Sequence, residues 1–269
     1  MRRGADPDFI EALARGLDVL RGFPPGRAHM TLSEVAAAAG LARPTARRIL
    51  ITLEELGYVR TFDAGFALTP RVLELGMAYI GSNNLWELAE PHLRALVGKT
   101  GESCSVAQLD GADIVYVARV AVPKLVALAV TIGTRFPAAQ TSLGKVLLAA
   151  LDQDELGRVL AMPSRSGLEP RWQPSREELD DVLRDVRAKG WALTDQDLAL
   201  GIRSIAAPIR NGLGRTVAAV NVNAHAAETT PDRLTGHHLP FLLQTASAIS
   251  ADWAAWESRP IATVRLPAS

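Results

Sequence analysis

Residues 31–70 read TLSEVAAAAGLARPTARRILITLEELGYVRTFDAGFALTP, and a few positions in this stretch decide how it folds. Thr31 stands three residues before Glu34, the spacing at which a hydroxyl caps a helix start while a carboxylate reaches back to the cap's own amide. Leu32, Val35, Ala36 and Ala39 then recur at helical intervals, and Gly40 supplies the left-handed residue for a sharp turn. Pro44 suits only a first helical turn, because it has no amide to donate and its fixed φ already matches a helix start. From there Ala46, Ile49, Leu50, Leu53 and Leu56 form an apolar stripe that Gly57 ends. The period changes to two at Tyr58, Arg60, Phe66 and Leu68, which flank Asp63-Ala64-Gly65 and predict a hairpin. Two short helices, a glycine turn and a hairpin are the outline of a winged helix-turn-helix.

The face of the second helix opposite its stripe presents Arg43, Thr45, Arg47, Arg48 and Thr52. Arginine offers both phosphate contacts and a bidentate match to guanine, and recognition helices meet base edges with their N-terminal halves. The candidate DNA contacts are therefore Arg43, Pro44, Thr45, Arg47, Arg48 and Thr52 in the major groove, with Arg60 of the wing beside the backbone. An ordinary helical hairpin with solvated arginines would carry the same stripe but no wing. Ala42 and Arg43 occupy the place of a serine or threonine cap, so the helix start is expected to shift by a residue or two.

Length and charge set limits on the remainder. With 269 residues and 48% hydrophobic content, the chain has material for one small and one larger domain. The formal net charge is zero, so any contact with a polyanion has to come from locally clustered arginines. The single cysteine, Cys104, has no internal partner and sits in an apolar run, which fits core packing in a reducing compartment. No signal peptide and no uninterrupted apolar span of about 18 residues is seen, so a soluble, cytoplasmic protein with no membrane contact is expected.

Working outward, Phe9, Leu13, Leu17, Leu20 and Phe23 mark a helix ended by Pro24-Pro25-Gly26. Residues 9–70 thus make a DNA-binding domain. Val72 to Ile80 continue helically until Gly81–Asn84 breaks them, giving a linker helix over 71–84 whose apolar stripe is packed or pairs with a second subunit. Residues 85–256 carry a helix at Leu85–Val97 and strands at Ser103–Leu109, Ile114–Val120 and Leu125–Ile132. Helices at Thr141–Leu151, Asp154–Leu160 and Arg176–Lys189 follow. Further strands at Ile202–Ile209 and Thr216–Asn223 are joined by Asn211-Gly212-Leu213-Gly214, and a long helix spans Pro231–Trp256. The fold class is α+β, an antiparallel sheet flanked by helices, and residues 257–269 read as a flexible tail.

No catalytic signature survives inspection. Gly144-Lys145 looks like the end of a phosphate loop, yet Val146 follows where serine or threonine is required. Cysteine and histidine nowhere cluster at metal spacing, and adjacent His237 and His238 point about 100 degrees apart on a helix. No catalytic residue, metal or cofactor is expected. Asn221 and Asn223 are the informative pair: two apart in a strand, they share a face, with Ala219 leaving room beside them. Buried amides need partners, so the pair predicts a polar pocket floor, to which Ser204 adds a hydroxyl and Arg203 a possible carboxylate partner. The alternative is an edge strand whose asparagines face water.

The span Phe9–Trp256 resembles an IclR-type transcriptional regulator. Residues 190–223, GWALTDQDLALGIRSIAAPIRNGLGRTVAAVNVN, are similar to that family's C-terminal signature, and FPAAQTSLGKVLL (136–148) to its glycine-lysine helix start. The resemblance implies an N-terminal winged helix-turn-helix, a linker helix and a C-terminal effector-binding domain related to GAF folds. It implies a homodimer or a dimer of dimers that binds a double-stranded DNA operator and a small organic acid. Effector contacts would fall on Phe136, Ser142, Leu143, Thr194, Ser204, Asn221 and Asn223. Members that sense glyoxylate-like acids carry an acidic residue in place of Thr194, a cysteine for Ser204 and serines for the two asparagines, so their ligand does not transfer. The wording of Thr141-Ser142-Leu143-Gly144 and Ile202-Arg203-Ser204-Ile205-Ala206 is closer to the PcaR and PobR subgroup, whose members respond to aromatic acids or β-ketoadipate-pathway intermediates.

Overall fold

The computed structural model describes residues 7–24, 26–63, 65–83, 85–123 and 130–259 and divides into two compact units, Met1–Ser82 and Asn83–Ser269.

In the first unit, helices α1 (Glu11–Arg21), α2 (Leu32–Ala38) and α3 (Arg43–Glu55) precede strands β1 (Val59–Phe62) and β2 (Gly65–Leu68). The expected capping box forms: the Thr31 amide donates to Glu34 Oε2 at 2.8 Å, and the Glu34 amide donates to Thr31 Oγ1 at 3.4 Å. The Thr31 amide, with its hydroxyl and Arg27, holds the Glu34 carboxyl below its ordinary range. Gly40 takes a φ of +64°, which a side chain rarely tolerates, and turns the chain into α3. Ala42 makes no side-chain cap bond, and Pro44 sits in the first turn, where its missing amide costs nothing. Val19, Val35, Leu50, Leu53 and Val59 close a common core. The wing is an antiparallel pair running from Val59 opposite Leu68 to Phe62 opposite Gly65, and Met30 adds a bridge to Phe66.

Helix α4 (Leu73–Asn83) corrects the expected break. Gly81 and Ser82 remain helical, because an isolated glycine costs a helix only about 1 kcal/mol. Leu73, Leu75, Met77 and Tyr79 on α4 are exposed.

The second unit opens with α5 (Leu85–Thr100) and builds one sheet in the order β5-β4-β3-β8-β7-β6, antiparallel throughout. Its strands are β3 (Ser103–Asp110), β4 (Asp113–Val120), β5 (Arg135–Pro137), β6 (Ala192–Asp195), β7 (Ile202–Arg210) and β8 (Thr216–His225). Alternation sends Cys104, Val106, Ile205, Ala207, Val220 and Val222 to one face, under α5 and the last helix, α9 (Leu239–Glu257). Ala107, Tyr116, Ala206 and Ala219 go to the other, under α6 (Ser142–Ala149), α7 (Gln153–Leu160) and α8 (Arg176–Lys189). Cys104 is fully buried, and burial pushes its thiol pKa up to about 12, which fits the core role expected of it.

Three readings need correction. The strand expected at Leu125–Ile132 lies largely on residues 124–129, outside the described residues, and Val130 to Ile132 are not strand. The helix expected over Pro231–Trp256 is interrupted by a π turn at Leu234–His238; Pro240, which has no amide to donate, sits where a regular helix starts again at Leu239. Strands β5 and β6 were not anticipated; with three and four residues they are too short to show a period. Among the described residues no helix is long and apolar enough to cross a membrane.

Candidate functional site

Strand β8 lies between β3 and β7, and the face that carries its polar residues is covered by α6, which leaves Asn221 buried and Asn223 half-buried. Asn221 pairs with Ser105 on one side and Ala206 on the other, and Asn223 pairs with Ser103 and Ser204. Ser204 in turn pairs with Thr194 of β6. Register alone therefore gathers these side chains on one face. They line a narrow cavity with Tyr116, Phe136, Gln140 and Thr141, whose enclosed free volume is only about 20 Å³, so a guest the size of an aromatic acid has to part its walls.

Part of the polar wall is already hydrogen-bonded. The hydroxyls of Ser142 and Ser204 share a hydrogen bond, Thr194 Oγ1 lies 3.3 Å from Ser204 Oγ, and the Ser105 amide donates to Asn221 Oδ1 at 3.1 Å. Tyr116 and Phe136 meet edge to face with ring centroids 5.8 Å apart, forming an aromatic wall. Burial pushes the Tyr116 phenol up to about 12, so it is neutral near pH 7 and retains its proton for donation.

Of the residues expected to contact an effector, Phe136, Thr194, Ser204, Asn221 and Asn223 line the cavity, and Ser142 reaches it through Ser204. Leu143 is fully buried in the core beneath α6. Arg203 does not join them, and this is a correction. It alternates with Ser204 and so lies on the opposite face, where its guanidinium grips Asp195 through Nε and Nη2, each at 2.9 Å, and donates through Nη1 to the Thr229 carbonyl at 2.6 Å. With Asp195 already bound, it has no free edge for a ligand.

Sequence reading missed Tyr116, Gln140 and Thr141 on the cavity wall, since a lone tyrosine or glutamine carries no local signal. It also set Gly144-Lys145 aside without finding its role. A Cβ on Gly144 would stand 2.0 Å from the Ala138 carbonyl oxygen, so only glycine lets α6 lie against the turn at Ala138–Gln140. Lys145 is buried, yet its Nζ lies 2.5 Å from Asp197 Oδ2 and 4.3 Å from the centroid of the Trp172 ring. Burial lowers the lysine pKa while Asp197 opposes the shift. The pair clasps the segment around Leu198, itself on the cavity wall, to α6.

In the first unit, Arg43, Pro44 and Arg47 stand exposed along the N-terminal half of α3. Arg48 and Thr52 are exposed as well, but with half-buried Thr45 they lie on the flank of α3 beside an apolar groove bounded by Leu13 and Leu17 of α1. The Thr52 hydroxyl is spent on the Arg48 carbonyl, 3.1 Å away. Arg60 projects from the wing with its guanidinium 4.5 Å above the Phe62 ring. Among the described residues none of Arg43, Arg47, Arg48 and Arg60 is held in an ion pair, so their charge is open to an anionic partner.

Two family models match the chain: the IclR helix-turn-helix domain over residues 12–61 and the bacterial transcriptional regulator IclR C-terminal domain over residues 77–251. The Pca regulon regulatory protein of Pseudomonas putida is 38% identical over 239 residues, which are 88% of this chain and 82% of that protein. The crystal structure of a protein from Rhodococcus sp. RHA1, provisionally described as a transcriptional regulator, superimposes with a TM-score of 0.79. It is 49% identical and the match covers 92% of this chain and all of that one. The inducer-binding domain of PobR from Acinetobacter, solved as a double mutant with 3-hydroxybenzoic acid, is 30% identical over 61% of this chain and 97% of its own, with a TM-score of 0.55.

Proposed function

Since the chain belongs to the IclR family of bacterial transcriptional regulators, we propose that its hold on operator DNA is set by a small aromatic or dicarboxylic acid in the sheet cavity. The observation that carries this reading is the cavity itself: a polar floor of Asn221, Asn223, Ser204 and Thr194 beside the aromatic wall of Tyr116 and Phe136. Such a site suits a flat, oxygenated guest. The 3-hydroxybenzoic acid held by the PobR domain is of this class.

Among the described residues the cavity is lined by binding groups without a nucleophile–base pair, which supports a site that returns its ligand unchanged rather than turning it over. It works in the cytoplasm, where operator DNA is found, as a homodimer or a dimer of dimers. The uncovered apolar residues of α1 and α4, among them Leu13, Leu17, Leu73 and Met77, support a second copy of the chain as their partner. Two winged units would then read two half-sites, with Arg43, Pro44, Thr45, Arg47, Arg48 and Thr52 toward the major groove and Arg60 toward the backbone. Phe136, Ser142, Thr194, Ser204, Asn221 and Asn223 would hold the effector, with Leu143 supporting them from the core.

Thermal melting with benzoate, 3-hydroxybenzoate, 4-hydroxybenzoate and adipate tests the effector class. At about 100 times its Kd a ligand adds about 2.7 kcal/mol, so at least one acid is expected to raise the melting temperature by roughly 5 °C or more. A melting temperature that none of these acids moves would count against the reading.

A further inference from the structure

Arg119 of β4 stands on the cavity side of the sheet and has so far been given no role. It pairs in register with Ser105, which pairs with Asn221. A bulge in β4 puts Tyr116 opposite Ala107 and Arg119 opposite Ser105, so both share the face of the polar floor. Its Nη1 donates to Ser105 Oγ at 2.9 Å. Its Nε is buried and has no hydrogen-bond partner. No carboxylate among the described residues pairs with it, and burial lowers its pKa.

Arg203 supplies the internal comparison. There the edge formed by Nε and Nη2 is filled by Asp195 in the side-on geometry that matches a carboxylate. On Arg119, among the described residues, Nε has no acceptor and the bond to Ser105 is made by Nη1 alone, so the edge that Asp195 fills on Arg203 holds no carboxylate. A buried charged donor without an acceptor is unfavourable; Arg119 stands behind the cavity floor, linked through Ser105 to the lining residue Asn221, and an anion that parts that floor would satisfy it.

We propose that Arg119 is the carboxylate anchor of this cavity, so that the site selects organic acids over their neutral isosteres. The proposal rests on the effector reading above and adds the group that recognises the charge. Asn221, Asn223, Ser204 and Thr194 would then read the hydroxyl pattern of the guest while Arg119 takes its carboxylate.

Calorimetric titration of the full chain with 4-hydroxybenzoate and with uncharged 4-hydroxybenzamide tests this, on the wild type and on Arg119→Met and Arg119→Gln. The wild type is expected to prefer the acid. Both variants are expected to lose roughly 100-fold in affinity for the acid, the worth of a bidentate charged pair, while affinity for the amide moves less than about threefold. Without ligand both variants lose the Nη1 bond to Ser105 and shed the unsatisfied Nε, so their melting temperatures should move by no more than about 3 °C; a merely structural arginine would show a larger fall with no selective loss of the acid. If the variants bind the acid as the wild type does, Arg119 is not the anchor and the effector reading stands. If the wild type binds neither acid nor amide, the effector reading falls and takes the anchor with it.

Discussion

Replacing Arg47 with alanine is expected to weaken operator binding by about 10- to 100-fold per half-site, since a bidentate arginine–guanine contact is worth about 1–3 kcal/mol. Arg47 is exposed on the N-terminal half of α3 and has no ion pair, so its removal leaves the folded unit intact. In the proposed dimer two copies meet the DNA, and the loss would be felt twice at a symmetric operator. The effector cavity belongs to the other compact unit, and the affinity of the free protein for an acid should change less than about twofold. A titration of salt separates two versions of the contact. If Arg47 reads a base, the loss is confined to operators carrying that base; if it meets phosphate, affinity falls on every sequence and the salt slope drops by about one per copy. DNA affinity that is unchanged in the variant would remove this face of α3 from the interface.

Gly144→Ala should destabilise the second unit by about 3 kcal/mol, at the upper end for overpacking. The added Cβ would lie 2.0 Å from the oxygen and 2.4 Å from the Cα of Ala138, and both neighbours are backbone that cannot swing aside. Relief requires α6 to back away from the 138–140 turn. That movement would pull Ser142 from Ser204 and Lys145 from Asp197, so the cavity is lost along with the packing. The melting temperature should fall by roughly 6–12 °C, and acid binding should be abolished. Gly98→Ala in α5 serves as the control. Nothing lies within 4 Å of its Cβ, and helix propensity there favours alanine by about 0.5–1 kcal/mol. Equal melting temperatures for Gly144→Ala and the wild type would show that α6 does not rest on Ala138 as described.

Local chemistry made the first unit legible. Its capping box, its proline start and its period-two hairpin are short-range patterns, and each formed where the residues predicted it. The shared face of Asn221 and Asn223 was equally readable, since alternation along a strand needs no tertiary knowledge. What could not be read was which face of the sheet α6 would cover, and this decided whether those asparagines met water or a pocket. The misplacement of Arg203 has the same origin: its side chain was allowed to follow Ser204, but the pleat sends it to the other face and into Asp195. Gly144, Lys145 and Arg119 were opaque for a different reason. Each owes its role to a residue far away in the chain or to a missing partner, and neither leaves a mark in the neighbouring sequence. Of the break expected at Gly81–Asn84, residues 81–83 are helical, because glycine weakens a helix without forbidding it, and residue 84 lies outside the described residues.

The chain passes from one unit to the other at Ser82–Asn83, and an acid bound in the second unit is proposed to alter the grip of the first on DNA through the proposed dimer. Such coupling is reciprocal. Operator duplexes enriched by the protein from a random pool allow both legs to be measured: DNA affinity with and without saturating acid, and acid affinity with and without saturating DNA. The two ratios are predicted to be equal and to lie between about 5 and 150. An acid that binds the cavity tightly while both ratios stay at one would contradict the account.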